Sequence, residues 1–278
     1  MSRRFIYTIK FIKIHLVLIL ICGACATPPA PTPTRPVQVV TVSGASAMSP
    51  LLAALAEAFE QASPDVQIRI QTVNSAVGLA QLRQGYAELA AVATEPPADL
   101  WRAPIALDGL ALIVHIDNPL DTLTEAQAQA LFGGRLWHWH DLGVTVAEDE
   151  ITVLSREEGS GDRVVFETLL MKGLPVTPTA GLLFGAQAVV DFVATHPGAI
   201  GYVSQGMVSA EVKALRLEDV APTRETVAQQ RYRLIRPFFL VAVTEPKGPA
   251  RAFVDFILGE QGQAIVARQY APVRTKKP

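Results

Sequence analysis

Cysteine is almost absent from this 278-residue chain: Cys22 and Cys25 are its two, and none follows them. No disulfide framework can therefore staple the body of the protein, and a bridge between these two would close a trivial loop in a segment with no core. Charge is sparse at 18% and aromatics make up 7%, while half of the residues are apolar. That balance excludes a disordered chain and a nucleic-acid-coating one. Basic residues are not in excess either. Four of the 24 Lys and Arg (Arg3, Arg4, Lys10, Lys13) precede residue 25, where there is no acidic residue, which leaves 20 basic against 26 acidic side chains, a formal net of −6. Polyanions would not recruit such a body, so nucleic acid is not an expected partner, and a bound anion needs a local site. No internal repeat is visible, and the run Ile14 to Ile21 is short of the about 20 apolar residues that span a bilayer.

What stands at the beginning is a basic stretch, the short apolar run, and the small residues Gly23 and Ala24, the pattern of an export signal. Cys25 follows those small residues, whereas Cys22 follows bulky Ile21. The junction resembles a bacterial lipoprotein signal, with Cys22 where Leu is usual. Residues 1–24 are then a signal peptide, Cys25 is the acylated new N-terminus, and the protein is exported and held at a cell membrane, facing the periplasm or the cell exterior. The stretch 25–36 repeats Pro and Thr, cannot pack, and reads as a semi-rigid tether.

The folded part begins at Val37. Val37–Val42 and Val66–Val73 read as strands, with a helix opened by Pro50 between them. A short helix with Leu79 and Leu82 leads to the buried-type strand Leu89–Ala93. Further on, the pattern predicts helices at 123–131, 159–171, 186–195, 249–258 and 260–269, with strands at 151–154 and 199–203. Strand–helix alternation of this kind implies an α/β sheet with parallel members. Two long apolar stretches, 105–116 and 232–243, bracket the middle and suggest two lobes, the chain crossing out and back.

Three segments share one design, in which a strand ends, small or hydroxyl residues follow, and a helix starts. They are Ser43-Gly44-Ala45-Ser46-Ala47-Met48-Ser49, Asn74-Ser75-Ala76-Val77-Gly78 and Glu158-Gly159-Ser160-Gly161-Asp162. The first N–H groups of a helix lack intrahelical partners, and the helix dipole adds positive charge there. Small residues let an anion approach. One such loop alone is ordinary capping. Three, with Arg156 beside the third, favour a shared oxyanion site, because a guanidinium binds such groups through a fork that Lys cannot reproduce.

Arg156-Glu157-Glu158-Gly159-Ser160-Gly161-Asp162-Arg163 resembles the Arg-x-x-Gly-Ser-Gly-Thr signature of the phosphate-binding proteins of ABC transporters. Ser43-Gly44-Ala45-Ser46 with Pro50-Leu51 is similar to their first ligand loop, and Ile105 to Gly109 with Asp117-Asn118-Pro119 to their lobe crossing. Leu123-Thr124 through Phe132-Gly134, Trp139 to Gly143, Ala199 to Val203, and Phe253 to Leu258 with Gln261-Gly262-Gln263 follow in the family's order. The resemblance implies a two-lobed type II periplasmic-binding-protein fold with a ligand cleft between the lobes: lobe I over 37–110 and 236–278, lobe II over 111–235. It implies that Arg156, Ser160 and Gly161 bind the anion from one lobe, and Ser46 and Ala47 from the other, with Ser75 or Ala76 beside them. The expected ligand is inorganic phosphate or a related tetrahedral oxyanion, delivered by a monomer to ABC permease subunits, with no enzymatic activity, cofactor or metal. A ligand-sensing or adhesive surface lipoprotein of the same fold is the alternative. Asp162 departs from the signature's Thr. It is expected either to accept a hydrogen bond from a protonated oxyanion or to cap its helix, the second being favoured.

Other chemistry-bearing residues receive plainer assignments. Trp137-His138-Trp139-His140 is read as a surface turn, since in a helix the two imidazoles would diverge. Glu157 and Glu158 are expected in solvent, and Arg231, Arg233 and Arg236 on the polar face of a strand. Ser160 is not a nucleophile elbow, because Glu158 and Asp162 flank its glycines.

Overall fold

The computed structural model describes residues 36–273. The expected signal peptide, the expected lipidation of Cys25 and all of the expected tether but Pro36 lie outside the described residues. Among the described residues no helix is long and apolar enough to cross a membrane.

The chain opens with β1 (Gln38–Ala45), α1 (Ser49–Ala62), β2 (Val66–Val73), α2 (Ser75–Arg83) and β3 (Leu89–Val92). The strand β1 runs three residues beyond the expected Val42, because Ser43, Gly44 and Ala45 still pair in parallel with Gln71, Thr72 and Val73 of β2. Gly44 is required there: a Cβ would lie 2.0 Å from the carbonyl oxygen of Ala91, so no larger residue lets β3 approach. Pro50 sits in the first turn of α1, where its missing N–H costs no helical bond.

β4 (Trp101–His115) is the longest strand, followed by β5 (Thr122–Leu123) and α3 (Glu125–Phe132), which Thr124 and Gln127 start with a reciprocal capping box. Then come β6 (Thr152–Arg156), α4 (Gly161–Leu169), β7 (Gly181–Leu183), α5 (Ala186–Thr195) and β8 (Ala199–Ser204). β9 (Val212–Ala214), β10 (Arg216–Leu217), α6 (Arg224–Ala228), β11 (Ile235–Ala242), α7 (Gly248–Leu258), α8 (Glu260–Val266) and β12 (Ala271–Pro272) complete the order.

The main sheet runs β2-β1-β3-β11-β4-β8-β6-β7. β4 belongs to both halves: residues 101–109 pair antiparallel with β11, and residues 110–114 with β8. The ladder with β11 shifts register between Phe238 and Phe239, where Ile105 is the extra residue of β4, next to Pro104, whose missing N–H cannot serve the ladder. One apolar core gathers residues from β1, α1, the first half of β4, β11, α7 and α8, centred on Leu55, Phe59, Phe238 and Phe253. A second gathers the other half of β4 with α3, α4 and β8, centred on Phe132, Trp139, Phe166 and Tyr202. The result is a two-lobed mixed α/β fold, as expected, and the strand ends that carry the three small-residue loops face one another across its cleft.

Candidate functional site

The three loops meet. Ala45, Ser46, Ala47, Asn74, Ser75, Arg156, Ser160, Gly161 and Asp162 together line one tightly closed cavity. Every residue singled out from the sequence lines it except Ala76, which is exposed and whose N–H donates to the carbonyl of Gly159 at 3.2 Å.

Each loop reaches the cavity for a local reason. Ser46 begins a short 3-10 turn that feeds α1. Asn74 caps α2, its Oδ1 accepting from the N–H of Val77 at 2.9 Å. Ser160 takes the N-cap place of α4 with its backbone alone, so its hydroxyl makes no cap bond, and Gly161 opens the helix. A Cβ on Gly161 would lie 2.6 Å from Ser75 Oγ, which measures how closely the two sides approach. Direct bonds cross the cleft as well: Asn74 Nδ2 donates to the carbonyl of Glu158 at 3.2 Å, and Arg156 Nη2 to Ser46 Oγ at 3.2 Å. Ser46 Oγ also accepts from the N–H of Ala186, the first residue of α5, at 3.1 Å.

Arg156 ends β6, 1% exposed. Tyr202 supports the strand end from β8: its hydroxyl lies 3.0 Å from Ser155 Oγ and accepts from the N–H of Arg156 at 3.3 Å. Its ring stacks on Phe166 of α4 at 3.9 Å, and burial pushes its phenol up to about 12. The guanidinium is engaged on all sides. Nε and Nη2 donate to the two carboxylate oxygens of Glu157 at 2.9 and 3.0 Å, and Nη1 donates to Asp162 Oδ2 at 2.6 Å.

A charge chain continues behind Asp162. Its Oδ1 lies 2.7 Å from Nη1 of Arg236, whose Nη2 lies 2.9 Å from Asp108 Oδ2. These two contacts are ion pairs too oblique to be aligned hydrogen bonds, whereas Arg236 Nε donates to Asp108 Oδ2 at 2.9 Å in good alignment. Ser204 Oγ donates to Asp108 Oδ1 at 2.7 Å. Burial pushes the Asp108 carboxyl up to about 6 against the pull of Arg236. Burial opposes the charge on Arg236 too, but Asp162 and Asp108 outweigh it and raise its pKa. Two guanidinium and three carboxylate groups thus make up the chain, so the cavity offers no net positive charge from side chains. The positive potential on its wall comes from the dipoles and free N–H groups of helix starts.

Four sequence-based assignments change. Asp162 does not cap α4, since its buried carboxylate is held between two arginines. Glu157 is buried against Arg156, and Glu158 alone of the acidic pair is exposed. Arg236 is 2% exposed and part of the charge chain, not on a polar face. It shares an inward face of β11 with Phe238 and Leu240, the odd spacing from Arg231 and Arg233 being the missed signal. His138 and His140 do not diverge: His138 is extended, and the two rings stack 5.1 Å apart.

Similar proteins share this fold. The PBP superfamily domain profile matches residues 29–261. A phosphate-binding protein PstS of Bacillus subtilis (strain 168) is 30% identical over 249 residues, which covers 86% of this chain and 82% of the relative. The chain belongs to the phosphate-binding protein family of the PBP superfamily. Among solved structures, a phosphate ABC transporter substrate-binding protein from Clostridium perfringens, crystallised with bound phosphate, superposes with a TM-score of 0.81 at 32% identity, covering 85% of this chain and all of that one (100%). An ABC-type phosphate transport receptor from Vibrio cholerae superposes with a TM-score of 0.68 at 28% identity, covering 84% and 100%.

Proposed function

We propose that this protein captures inorganic phosphate outside the cytoplasm and hands it to the permease of an ABC importer, without catalysing a reaction. The observation that carries the reading is the cavity where three helix starts converge on Arg156. Ser46, Ala47 and Ser75 would hold the anion from lobe I (37–110 and 236–278), and Arg156, Ser160 and Gly161 from lobe II (111–235). Ala76 stands at the rim and would act through the bond that joins it to Gly159.

The chemistry of the wall supports phosphate over sulfate. A fully deprotonated dianion would face the carboxylate of Asp162 and be repelled. Hydrogen phosphate has a proton to donate to that oxygen, whereas sulfate at neutral pH has none. The remaining charge of the ligand is balanced by N–H groups and by the Arg156 guanidinium, whose Nη2 already reaches across to Ser46 Oγ. Relatives that bear the names of phosphate-binding proteins and a neighbour solved with bound phosphate support the same ligand. The export signal and Cys25 support a lipid anchor at a cell membrane, from which the Pro/Thr segment would hold the lobes at a distance.

Calorimetric titration with phosphate and with sulfate at neutral pH tests the reading. Phosphate binding with one site per chain and much weaker sulfate binding is expected. Absence of phosphate binding would overturn it.

A further inference from the structure

Outside the cleft, the segment 137–150 brings two imidazoles and a carboxylate together. His138 Nδ1 lies 3.3 Å from Asp149 Oδ2, and His140 Nδ1 lies 2.6 Å from the same oxygen. All three donor atoms fall within 4.8 Å of one another. We propose that His138, His140 and Asp149 form a surface site for a divalent transition-metal ion of the zinc type.

The donor set selects the metal class. Two imidazole nitrogens and one carboxylate oxygen suit Zn²⁺, Ni²⁺ or Cu²⁺, and not Mg²⁺ or Ca²⁺, which take oxygen ligands. Donors at about 2.1 Å from a tetrahedral Zn²⁺ lie about 3.4 Å apart, close to the His138–Asp149 contact of 3.3 Å, while the His140–Asp149 contact of 2.6 Å would open and the two imidazole nitrogens, within 4.8 Å of each other, would draw together through side-chain rotation. The rings stack 5.1 Å apart and 18° from parallel, so both nitrogens are on one side of the turn and a tilt of the rings would bring their in-plane lone pairs onto one ion. The metal would displace the proton that His140 and Asp149 now share.

The backbone holds the donors in place. Trp139 is fully buried between the two histidines, its Nε1 donating to the carbonyl of Gly198 at 3.1 Å. In this extended entry to a 3-10 turn, the alternation throws His138 and His140 to the same outer side. The opposite edge is fixed by the bond from Trp139 N–H to the carbonyl of Asp149 at 2.8 Å, and from Ile151 N–H to that of Trp137 at 2.8 Å. Asp149 Oδ1 accepts from the N–H of His140 at 3.0 Å, which leaves Oδ2 for the metal. Asp141 Oδ1 lies 3.6 Å from Nε2 of His140, where a carboxylate orients a ligating ring. The three side chains are 42% to 64% exposed, so the fourth coordination position opens to solvent. None of them lines the anion cavity.

Zn²⁺ titration of the untagged full chain, followed by calorimetry, is the test, with the double variant His138→Ala, His140→Ala and the single variant Asp149→Ala alongside. The wild type should bind one equivalent of Zn²⁺ more than the double variant, and Asp149→Ala should weaken that equivalent at least about tenfold. Zn²⁺ should also raise the unfolding temperature of the wild type and not of the double variant. Unchanged phosphate affinity would show that the variants are folded. Equal Zn²⁺ stoichiometry in wild type and double variant, or none in the wild type up to millimolar Zn²⁺, would overturn the proposal.

Discussion

Arg156 and Arg236, far apart in the chain, are fastened to the two oxygens of one carboxylate: Asp162 Oδ2 accepts from Arg156 at 2.6 Å, and Oδ1 lies 2.7 Å from Arg236. Through Asp162 the anchor of the cavity is tied to Asp108 and Arg236 on the strands that connect the lobes.

Arg156→Ala should weaken phosphate binding by at least about a hundredfold, because charge-assisted bonds to the anion contribute about 1.5–3 kcal/mol each. It also leaves Asp162 and Glu157 buried without their partner, so Arg156→Lys is the companion that keeps a charge but loses the fork. Calorimetry on both, with circular dichroism as a folding control, checks the outcome. Wild-type affinity in Arg156→Lys would remove the fork from the account.

Asp162→Asn should narrow the preference for phosphate over sulfate by about tenfold or more, since the amide no longer repels an anion that lacks a proton. Paired titrations with the two anions read the ratio. An unchanged ratio would mean that Asp162 serves only to join the two arginines.

Gly161→Ala places a methyl 2.6 Å from Ser75 Oγ on the opposite side of the cleft and 3.0 Å from Ala93 Cβ. Overpacking of this kind costs about 1–3 kcal/mol, here charged to closure rather than to either core. Phosphate affinity should fall about tenfold while the unfolding temperature barely moves. A large drop in unfolding temperature with intact affinity would contradict this.

Arg236→Met should destabilise the protein by about 3–5 kcal/mol, because Asp108 and Asp162 are left buried with their shared cation gone. Asp108→Asn should behave differently. The folded-state pKa of Asp108 is raised to about 6, so its contribution to stability is fully present below its ordinary value near 4 and is lost as pH rises through about 6. At pH 7 the neutral amide should therefore be tolerated or stabilising, and its difference from the wild type should close as pH falls toward 4. Urea unfolding at pH 7 and pH 5 measures both variants, and a loss of more than about 2 kcal/mol in Asp108→Asn at pH 7 would contradict the linkage.

His140 is held above the usual histidine range by its hydrogen bond to Asp149, which in turn lies below the usual carboxylate range. The stability that His140 contributes is present below its ordinary pKa and disappears as pH climbs through the raised one. An NMR titration of the imidazole resonance should show the raised midpoint in metal-free protein. In Asp149→Asn the midpoint should drop back; an unmoved midpoint would dissociate the two residues.

The elements were legible in the sequence wherever the signal was local. Strand and helix alternation, Pro50 in a first turn and Thr124 at a helix start depend on neighbours within a few residues, and the three Ser/Gly loops repeat one local design. Arg236 was hidden because its partners, Asp108 and Asp162, come from β4 and α4, and no local pattern marks a charged residue as buried. Glu157 was hidden for a similar reason: a carboxylate beside an exposed one looks solvated until the fork of Arg156 is seen to close on it. The histidine pair was misjudged through its backbone, since the divergence expected of a helix does not hold where His138 is extended.

Asp108 and Arg236 also stand directly opposite each other in the ladder between β4 and β11. A slip of that ladder by one residue would turn Asp108 and Arg236 to opposite faces and carry Phe238 out of its core. Such a slip would therefore bury an uncompensated charge, while the true pairing cancels it. A pair that adds little to the depth of the native well can still raise the well of the one-residue slip, and so help decide which alignment of the two long strands the folding chain keeps.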